Sequence, residues 1–464
     1  MASLLCITTL VSNILSFKLV PIILPDSESY LEFSSNRTSL YPLFLDFLLM
    51  FTNSIYIVIT VQTTIYLVTY FFLIKIIHDE FKSFLLTLLF GLSIGSNFYL
   101  QSFNSSIVSE SLVFSVINLI IICLLKIINT ARDNVLIKIV FIGVLTGILF
   151  GLKPSMITFI PSLFMIFLLF PMTRKLSVSK LAIAFFSPVI FFIIVESTFH
   201  KFYHEERSSF LGKLMFGKAL LIMTNNEAVF PHNLSKKDTD LLIKVKELVE
   251  PIKKLRAERD VGLEFRALMP RIEVFGQYRA SPILENRFGL DKENPKQMMR
   301  IGTAVIWSNF FLYTKTSLSY FLTFWYVNEV TSPYIFKETK RSLFSGDFIK
   351  EIVPKKKSTQ INSLSSIAFF IFFIVGSLSL LFSLLSWFLI SLAFVKGMKK
   401  NSHFHLVLVG SLFFLVQINV LFVAFINVPM ARYLMPLFPF FILAILLFCN
   451  HFIETFKKYK AKVI

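Results

Sequence analysis

Two acidic residues stand just after the first apolar run, in Pro25-Asp26-Ser27-Glu28-Ser29-Tyr30, and a basic one follows in Asn36-Arg37-Thr38-Ser39-Leu40-Tyr41-Pro42. A carboxylate at that place can meet a lipid head group at the membrane interface and serve as general base for an acceptor hydroxyl. The plainer reading is a solvated loop acid. Glu110 opens an otherwise apolar run directly after Ser109. An acid there needs a partner or a water-filled cavity, or it complements the dipole of the helix it begins. Lys153-Pro154 separates two further apolar runs. Its lysine is a candidate phosphate anchor acting by charge, against the alternative of a turn lysine snorkelling to the interface. Arg432 is the only charge between the last two apolar runs. Its partner is a phosphate, a loop carboxylate such as Asp26, or a lipid head group.

Other motifs carry less. His200, His204 and Glu205 lie at helical spacing, which permits a shared metal, but the pair lacks a clear third ligand and reads better as part of an interfacial belt. No metal site is assigned; a divalent cation is allowed but not indicated. Cys6, Cys123 and Cys449 sit inside apolar runs without close partners, which gives neither a disulfide framework nor zinc spacing. The sequence holds no phosphate-binding glycine loop and no nucleophile elbow, so no nucleotide-driven step is expected of it.

These residues must be positioned by membrane spans. The chain of 464 residues is 55% hydrophobic and 16% charged, against the roughly 25% charge usual in soluble domains. Its 56 phenylalanines exceed what a soluble core of this size can hide. Apolar stretches of about 20 residues cross the hydrocarbon core, and candidates lie at 3–24, 53–74, 83–99, 108–127, 136–151, 154–172, 179–198, 363–395, 404–427 and 433–453. The predicted fold is therefore an all-α polytopic bundle of about ten spans. The opening run is read as a first span, with Lys18 at its far end, rather than a removable leader.

The formal net charge of +18 is carried mostly between apolar runs, which argues against nucleic acid as a partner and for cytoplasmic loops. Placing Lys75–Lys82, Lys126–Lys138, Arg174–Lys180, Lys396–Lys400 and Lys457–Lys462 in the cytoplasm leaves an even number of spans between clusters. The opposite face then receives 25–51, 96–107, the turn at Lys153, 200–362 and 427–432. Lys355-Lys356-Lys357 falls on that outer face, which long translocated segments tolerate. Three regions result: a bundle over 1–199, an outer amphipathic segment over 200–362, and a second bundle over 363–464. Within the outer segment, 236–266 reads as a surface helix. Residues 301–327 read as helix in the outer interface, or as a pair of short spans.

The order of the motifs resembles bacterial membrane glycosyltransferases of the GT-C class, the polyprenyl-phosphate-sugar-dependent enzymes related to protein mannosyltransferases and aminoarabinose transferases. The resemblance rests on Asp26 after the first span, on Arg37…Leu40-Tyr41-Pro42, on Ser109-Glu110, and on Arg432-Tyr433-Leu434-Met435-Pro436; Lys153-Pro154 also fits. It covers the span layout and is weakest over 200–362. Two departures stand out: Ser27 follows Asp26 where many members have an acid, and Ser39 replaces the usual proline before Leu40.

The resemblance implies inverting transfer of a sugar from a polyprenyl-phosphate carrier to a lipid, glycan or protein acceptor on the outer face of a bacterial inner membrane. It casts Asp26 as the base, with Glu28 and Glu110 as further catalytic acids. Lys153, Arg432 and Arg37 would bind the donor phosphate, and Tyr30, Tyr41 and Tyr433 would line the substrate pocket. No cofactor is implied. Two other functions fit the same residues: a flippase or transporter of lipid-linked saccharide, and a polysaccharide polymerase or ligase using Arg266, Arg271, Arg279 and Arg287. The arrangement of seven spans, a segment and three spans speaks against the two related halves common in transporters.

Overall fold

Long apolar runs give helices over most of the described residues. The computed structural model describes residues 1–17, 20–24, 26–128, 134–169, 176–204, 211–244, 294–326, 404–426 and 435–463, with the single positions 246, 250, 273, 381, 384, 385, 388 and 433. The named helices are α1 (Ala2–Phe17), α2 (Ser27–Leu31), α3 (Leu40–Leu49), α4 (Tyr56–Phe81), α5 (Phe84–Gly95), α6 (Phe98–Asn104), α7 (Glu110–Ile128), α8 (Val135–Leu152), α9 (Phe159–Leu169), α10 (Val178–Tyr203), α11 (Leu211–Met223), α12 (Asn294–Ser308), α13 (Phe310–Tyr326), α14 (Phe404–Ile426) and α15 (Phe438–Val463). A short parallel bridge, Ile22 to Ser106, is the only extended pairing among the described residues.

Among the described residues six helices are long and apolar enough to cross a membrane: Tyr56–Phe81, Glu110–Ile127, Val135–Leu152, Val178–Tyr203, Leu408–Ile426 and Met435–Ile453. The protein is thus an all-helical chain with the make-up of an integral membrane protein. The expectation of about ten spans is met only in part. Runs 3–24, 83–99 and 154–172 yield the shorter apolar helices Ala2–Phe17, Phe84–Gly95 and Pro154–Leu168. Nearly all of 363–395 lies outside the described residues, as do Lys18 and Lys355–Lys357. The 301–327 run forms parts of two helices of 15 and 17 residues that meet at Asn309, each shorter than a full span.

The chain divides into two units. One comprises Met1–Arg207, Leu378–Asn419 and Leu434–Ile464; the other comprises Ser208–Ser377 and Val420–Tyr433.

In the first unit, capping chemistry sets helix boundaries. Ser83 accepts from the Leu86 amide to start α5, after Lys82 has reversed the chain in a left-handed conformation (φ 47°). Ser177 starts α10 in the same way through the Lys180 amide. Close packing of α8 on α10 depends on glycines spaced four apart. A Cβ on Gly143 would lie 2.5 Å from the Phe185 carbonyl oxygen, and one on Gly147 would lie 2.7 Å from Phe192 Cβ. Small residues at this spacing let two membrane helices approach backbone to backbone.

In the second unit, α11 packs on α12, and Gly302 sits where a Cβ would meet the Met215 backbone at 2.7 Å. Phe216, Leu220, Met223, Leu242, Ile301 and Val305 fill the shared core. Asp238 ties helical residues 236–244 to α12 by accepting from Gln297 Nε2 at 2.9 Å and from Arg300 Nε at 3.3 Å.

Candidate functional site

Proline chemistry places Lys153. Its ring excludes helical geometry at the preceding residue, so α8 stops and Lys153 is extended (φ −150°, ψ 104°) before a 3-10 turn begins at Pro154. The lysine does not snorkel. It is buried, and its Nζ donates to Glu110 Oε1 at 2.9 Å. Glu110 is the first residue of α7, so the pair joins the N-terminus of one helix to the C-terminus of another. Both charges suit the helix ends they occupy. With side-chain exposures of 8% and 4%, the two ions are nearly dry, and each needs the other.

A second pair forms in the loop before α3. Arg37 Nη2 meets Asp26 Oδ1 at 2.7 Å, and Arg37 Nε donates to Ser29 Oγ at 2.8 Å. The guanidinium carbon lies 4.4 Å from the centre of the Tyr30 ring, a cation-π contact on top of the ion pair. Ser29 Oγ in turn donates to the Asp26 carbonyl at 2.7 Å. Arg37 and Asp26 keep 20% and 23% of their side-chain surface exposed, so solvent or a substrate reaches them.

Tyr30 and Ser109 connect the two pairs. Their hydroxyls are 3.2 Å apart, and Ser109 immediately precedes Glu110. Tyr41 packs edge-on against Tyr30 at 5.0 Å and donates to Gln62 Oε1 at 3.3 Å. Gln62 Nε2 then donates to the carbonyls of Asn104 and Ser106, both at 2.8 Å. Gln62, Asn104 and Ser106 are all buried, so this polar seam ties α3, through Gln62 of α4, to the end of α6 and the loop before α7.

Of the residues singled out from sequence, the structure thus gathers Asp26, Tyr30, Arg37, Tyr41, Glu110 and Lys153 in one unit. Glu28 is in α2 but exposed. Arg432 lies outside the described residues, and the carboxylate expected as its possible partner, Asp26, is bonded to Arg37 instead. Tyr433 is buried and belongs to the other unit. Arg266, Arg271, Arg279, Arg287 and Glu205 also lie outside the described residues.

Three features were not anticipated from sequence. Glu196, inside the apolar run of α10, accepts from the Ser39 amide at 3.3 Å and so meets the start of α3. One turn on, His200 Nε2 lies 3.0 Å from the Ser35 carbonyl oxygen. The two residues grip the loop that carries Arg37. His200 and His204 are 4.9 Å apart ring to ring, and His204 also packs edge-on against Phe33. Among the described residues no three acidic, histidine or cysteine side chains are grouped to hold a metal. The signal for Glu196 was available: a carboxylate deep in an apolar helix needs a partner.

The third feature is in the second unit. Lys218 is fully buried, 3.0 Å from Glu273 Oε2, 3.0 Å from the Ala424 carbonyl oxygen and 3.8 Å from the centre of the Tyr320 ring. Burial pulls its amine down to about 8, with the Glu273 carboxylate opposing the fall. Burial first, and Glu273 second, pushes the Tyr320 hydroxyl well above its ordinary range. Tyr313 donates to the next carbonyl, Phe425, at 2.7 Å. Lys218 and Tyr313 thereby satisfy two carbonyls at the end of α14 that the helix itself leaves open.

No family model, curated protein or solved structure matches this chain.

Proposed function

We propose that the chain is a membrane glycosyltransferase that moves a sugar from a polyprenyl-phosphate carrier to a lipid, glycan or protein acceptor on the non-cytoplasmic face of a bacterial inner membrane. The observation that supports this reading best is the joining of two ion pairs, Asp26–Arg37 and Glu110–Lys153, through the Tyr30–Ser109 contact. One pair keeps about a fifth of its side-chain surface open to an incoming acceptor. The other sets a cation in a dry place, where it stabilises developing charge far more than it would in water.

In this reading Arg37 keeps the Asp26 carboxylate aimed. The acceptor hydroxyl gives its proton to Asp26 as its oxygen bonds to the anomeric carbon. The bond from that carbon to the phosphate oxygen breaks, and the electron pair leaves with the polyprenyl phosphate. Lys153, held in place by Glu110, offsets the charge of the departing phosphate. Tyr30 and Tyr41 line the substrate path, and Glu28 stays available at the exposed edge of α2 for the acceptor.

Donor binding tests the phosphate half of the proposal. Replacing Lys153 and Glu110 together, as Lys153→Met with Glu110→Gln, avoids leaving a lone buried ion. The double variant in nanodiscs is expected to bind a radiolabelled polyprenyl-phosphate sugar at least about tenfold more weakly, one charge-assisted contact being worth some 1.4 kcal/mol or more. Unchanged affinity in a folded double variant removes Lys153 from the donor site.

A further inference from the structure

Helix α12 buries Met298, Ile301, Val305 and Ile306, whereas α13 buries Tyr313, Ser317 and Tyr320, each with a hydroxyl, and Asn309 is buried between the two helices. The exposed positions of the two helices include Trp307 at 70%, Phe310 at 48%, Phe311 at 89% and Leu318 at 46%. A helix facing water shows the reverse of the α13 pattern. Phe311, Lys315 and Leu318 recur at intervals of four and three residues within α13, so they share one face. The rings of Trp307 and Phe310 stack at 5.9 Å across the Asn309 break, which makes the aromatic surface continuous between the helices.

That break is built rather than incidental. Asn309 Nδ2 donates to the carbonyls of Val305 and Val229, and its Oδ1 accepts from the Val229 amide at 2.7 Å. The asparagine therefore satisfies the backbone of a neighbouring strand of chain and fixes the angle between α12 and α13. Lys218 and Glu273 meet Tyr320 from the inner side and pin the polar face of α13 inward.

Charge identifies the occupant of the outer face. Residues 294–326 contain Lys296, Arg300 and Lys315 and no acidic residue. Lys296 and Lys315 are exposed, and Arg300 keeps 60% of its side chain exposed while bonded to Asp238. We infer that the exposed face of α12 and α13 is a lipid-binding surface: Trp307, Phe310, Phe311 and Leu318 enter the boundary between head groups and acyl chains of an anionic membrane, and Lys296, Arg300 and Lys315 meet the lipid phosphates. Tryptophan and phenylalanine with flanking lysine and arginine are the residues such interfacial helices use, and their aromatic rings favour the head-group level. The Asn309 break divides the described residues 294–326 into helices of 15 and 17 residues, and neither is among the six candidate spans. The inference is independent of the sugar-transfer reading.

The test uses the full chain with Trp325→Phe and Trp387→Phe, which leaves Trp307 as the sole tryptophan. It is reconstituted in vesicles of phosphatidylcholine and phosphatidylglycerol. Phosphatidylcholine brominated near the head-group end of its chains is expected to cut Trp307 fluorescence by roughly half or more, and aqueous iodide to quench it only weakly, since an interfacial ring sits below the water. Strong iodide quenching with no response to brominated lipid overturns the inference, because Trp307 then faces water. Protection from both quenchers overturns it too, because the face is then covered by protein, as in a second copy of the chain. A companion variant, Phe311→Glu, should shift the Trp307 emission to the red and raise iodide quenching; an unchanged spectrum counts against the shared lipid-facing surface.

Discussion

At the residue scale, Arg37 does work that a lysine cannot. It reaches Ser29 with Nε and Asp26 with Nη2 while its flat face covers Tyr30. Only a planar fork makes three such contacts from one position. Arg37→Lys keeps the charge and loses the fork, so sugar transfer should fall by about tenfold or more, with a change in stability below about 1 kcal/mol for a pair this exposed. Paired turnover and thermal-unfolding measurements on the variant separate the two effects; full activity in Arg37→Lys removes the positioning role.

The residue types at this site were legible in the sequence, but their pairings were not. Asp26, Glu110, Lys153 and Arg37 were each conspicuous because ions beside or within apolar runs need partners. Which acid meets which base depends on where α2, α7 and α8 end relative to one another, and spacing along the chain does not encode that distance.

At the element scale, helix ends rather than helix bodies carry the chemistry. Pro154 ends α8 at the one position that presents Lys153 to Glu110, and Ser83 and Ser177 fix the starts of α5 and α10. These caps are visible in sequence because they depend on local stereochemistry. The Gly143–Gly147 seam against α10 follows a recognised spacing, yet it shows which face is thin and not which helix will fill it.

The buried Lys218 was not legible at all. Its partners, Glu273 and Ala424, are distant in sequence, and a lysine in an amphipathic stretch ordinarily points to water. Lys218→Met should destabilise the second unit by about 3–5 kcal/mol, because it strands the Glu273 carboxylate inside. The double variant with Glu273→Gln should recover much of that loss. Chemical unfolding monitored by hydrogen exchange in 211–223 checks both, and equal instability of the single and double variants contradicts the pairing.

At the scale of the whole molecule, apolar composition fixes the class of protein and basic loops suggest its orientation. Among the described residues six helices are long and apolar enough to cross a membrane, where ten runs of the sequence looked sufficient, and one of the other four, 363–395, lies almost wholly outside the described residues. The shortness of the remaining three has a physical cause. Hydropathy counts apolar residues, whereas crossing depends on how many of them fall into one uninterrupted helix. The run at 3–24 gives a helix of only 16 residues, and that at 83–99 one of 12. The orientation makes a direct expectation. Glu28 and Lys82 are both exposed, and α4 between them is 26 residues, about 39 Å at 1.5 Å per residue. In a chain with Cys6, Cys123 and Cys449 changed to serine, a cysteine at Glu28 should react with an impermeant maleimide from outside the cell. A cysteine at Lys82 should react only after permeabilisation. Labelling of both from the same side contradicts the assignment of faces.

The central claim is that Asp26 takes a proton while a sugar leaves a lipid phosphate. The most direct measurement is single-turnover transfer from a radiolabelled polyprenyl-phosphate sugar by the purified chain in proteoliposomes, comparing the native sequence with Asp26→Asn. The account predicts a new glycosidic product from the native chain and a loss of about a hundredfold or more in rate for the variant, the scale of a missing general base, with the variant still folded in the bilayer. Native-rate transfer by Asp26→Asn would contradict the role of Asp26. Movement of intact lipid-linked sugar across the bilayer with no new glycosidic bond would contradict the transferase itself.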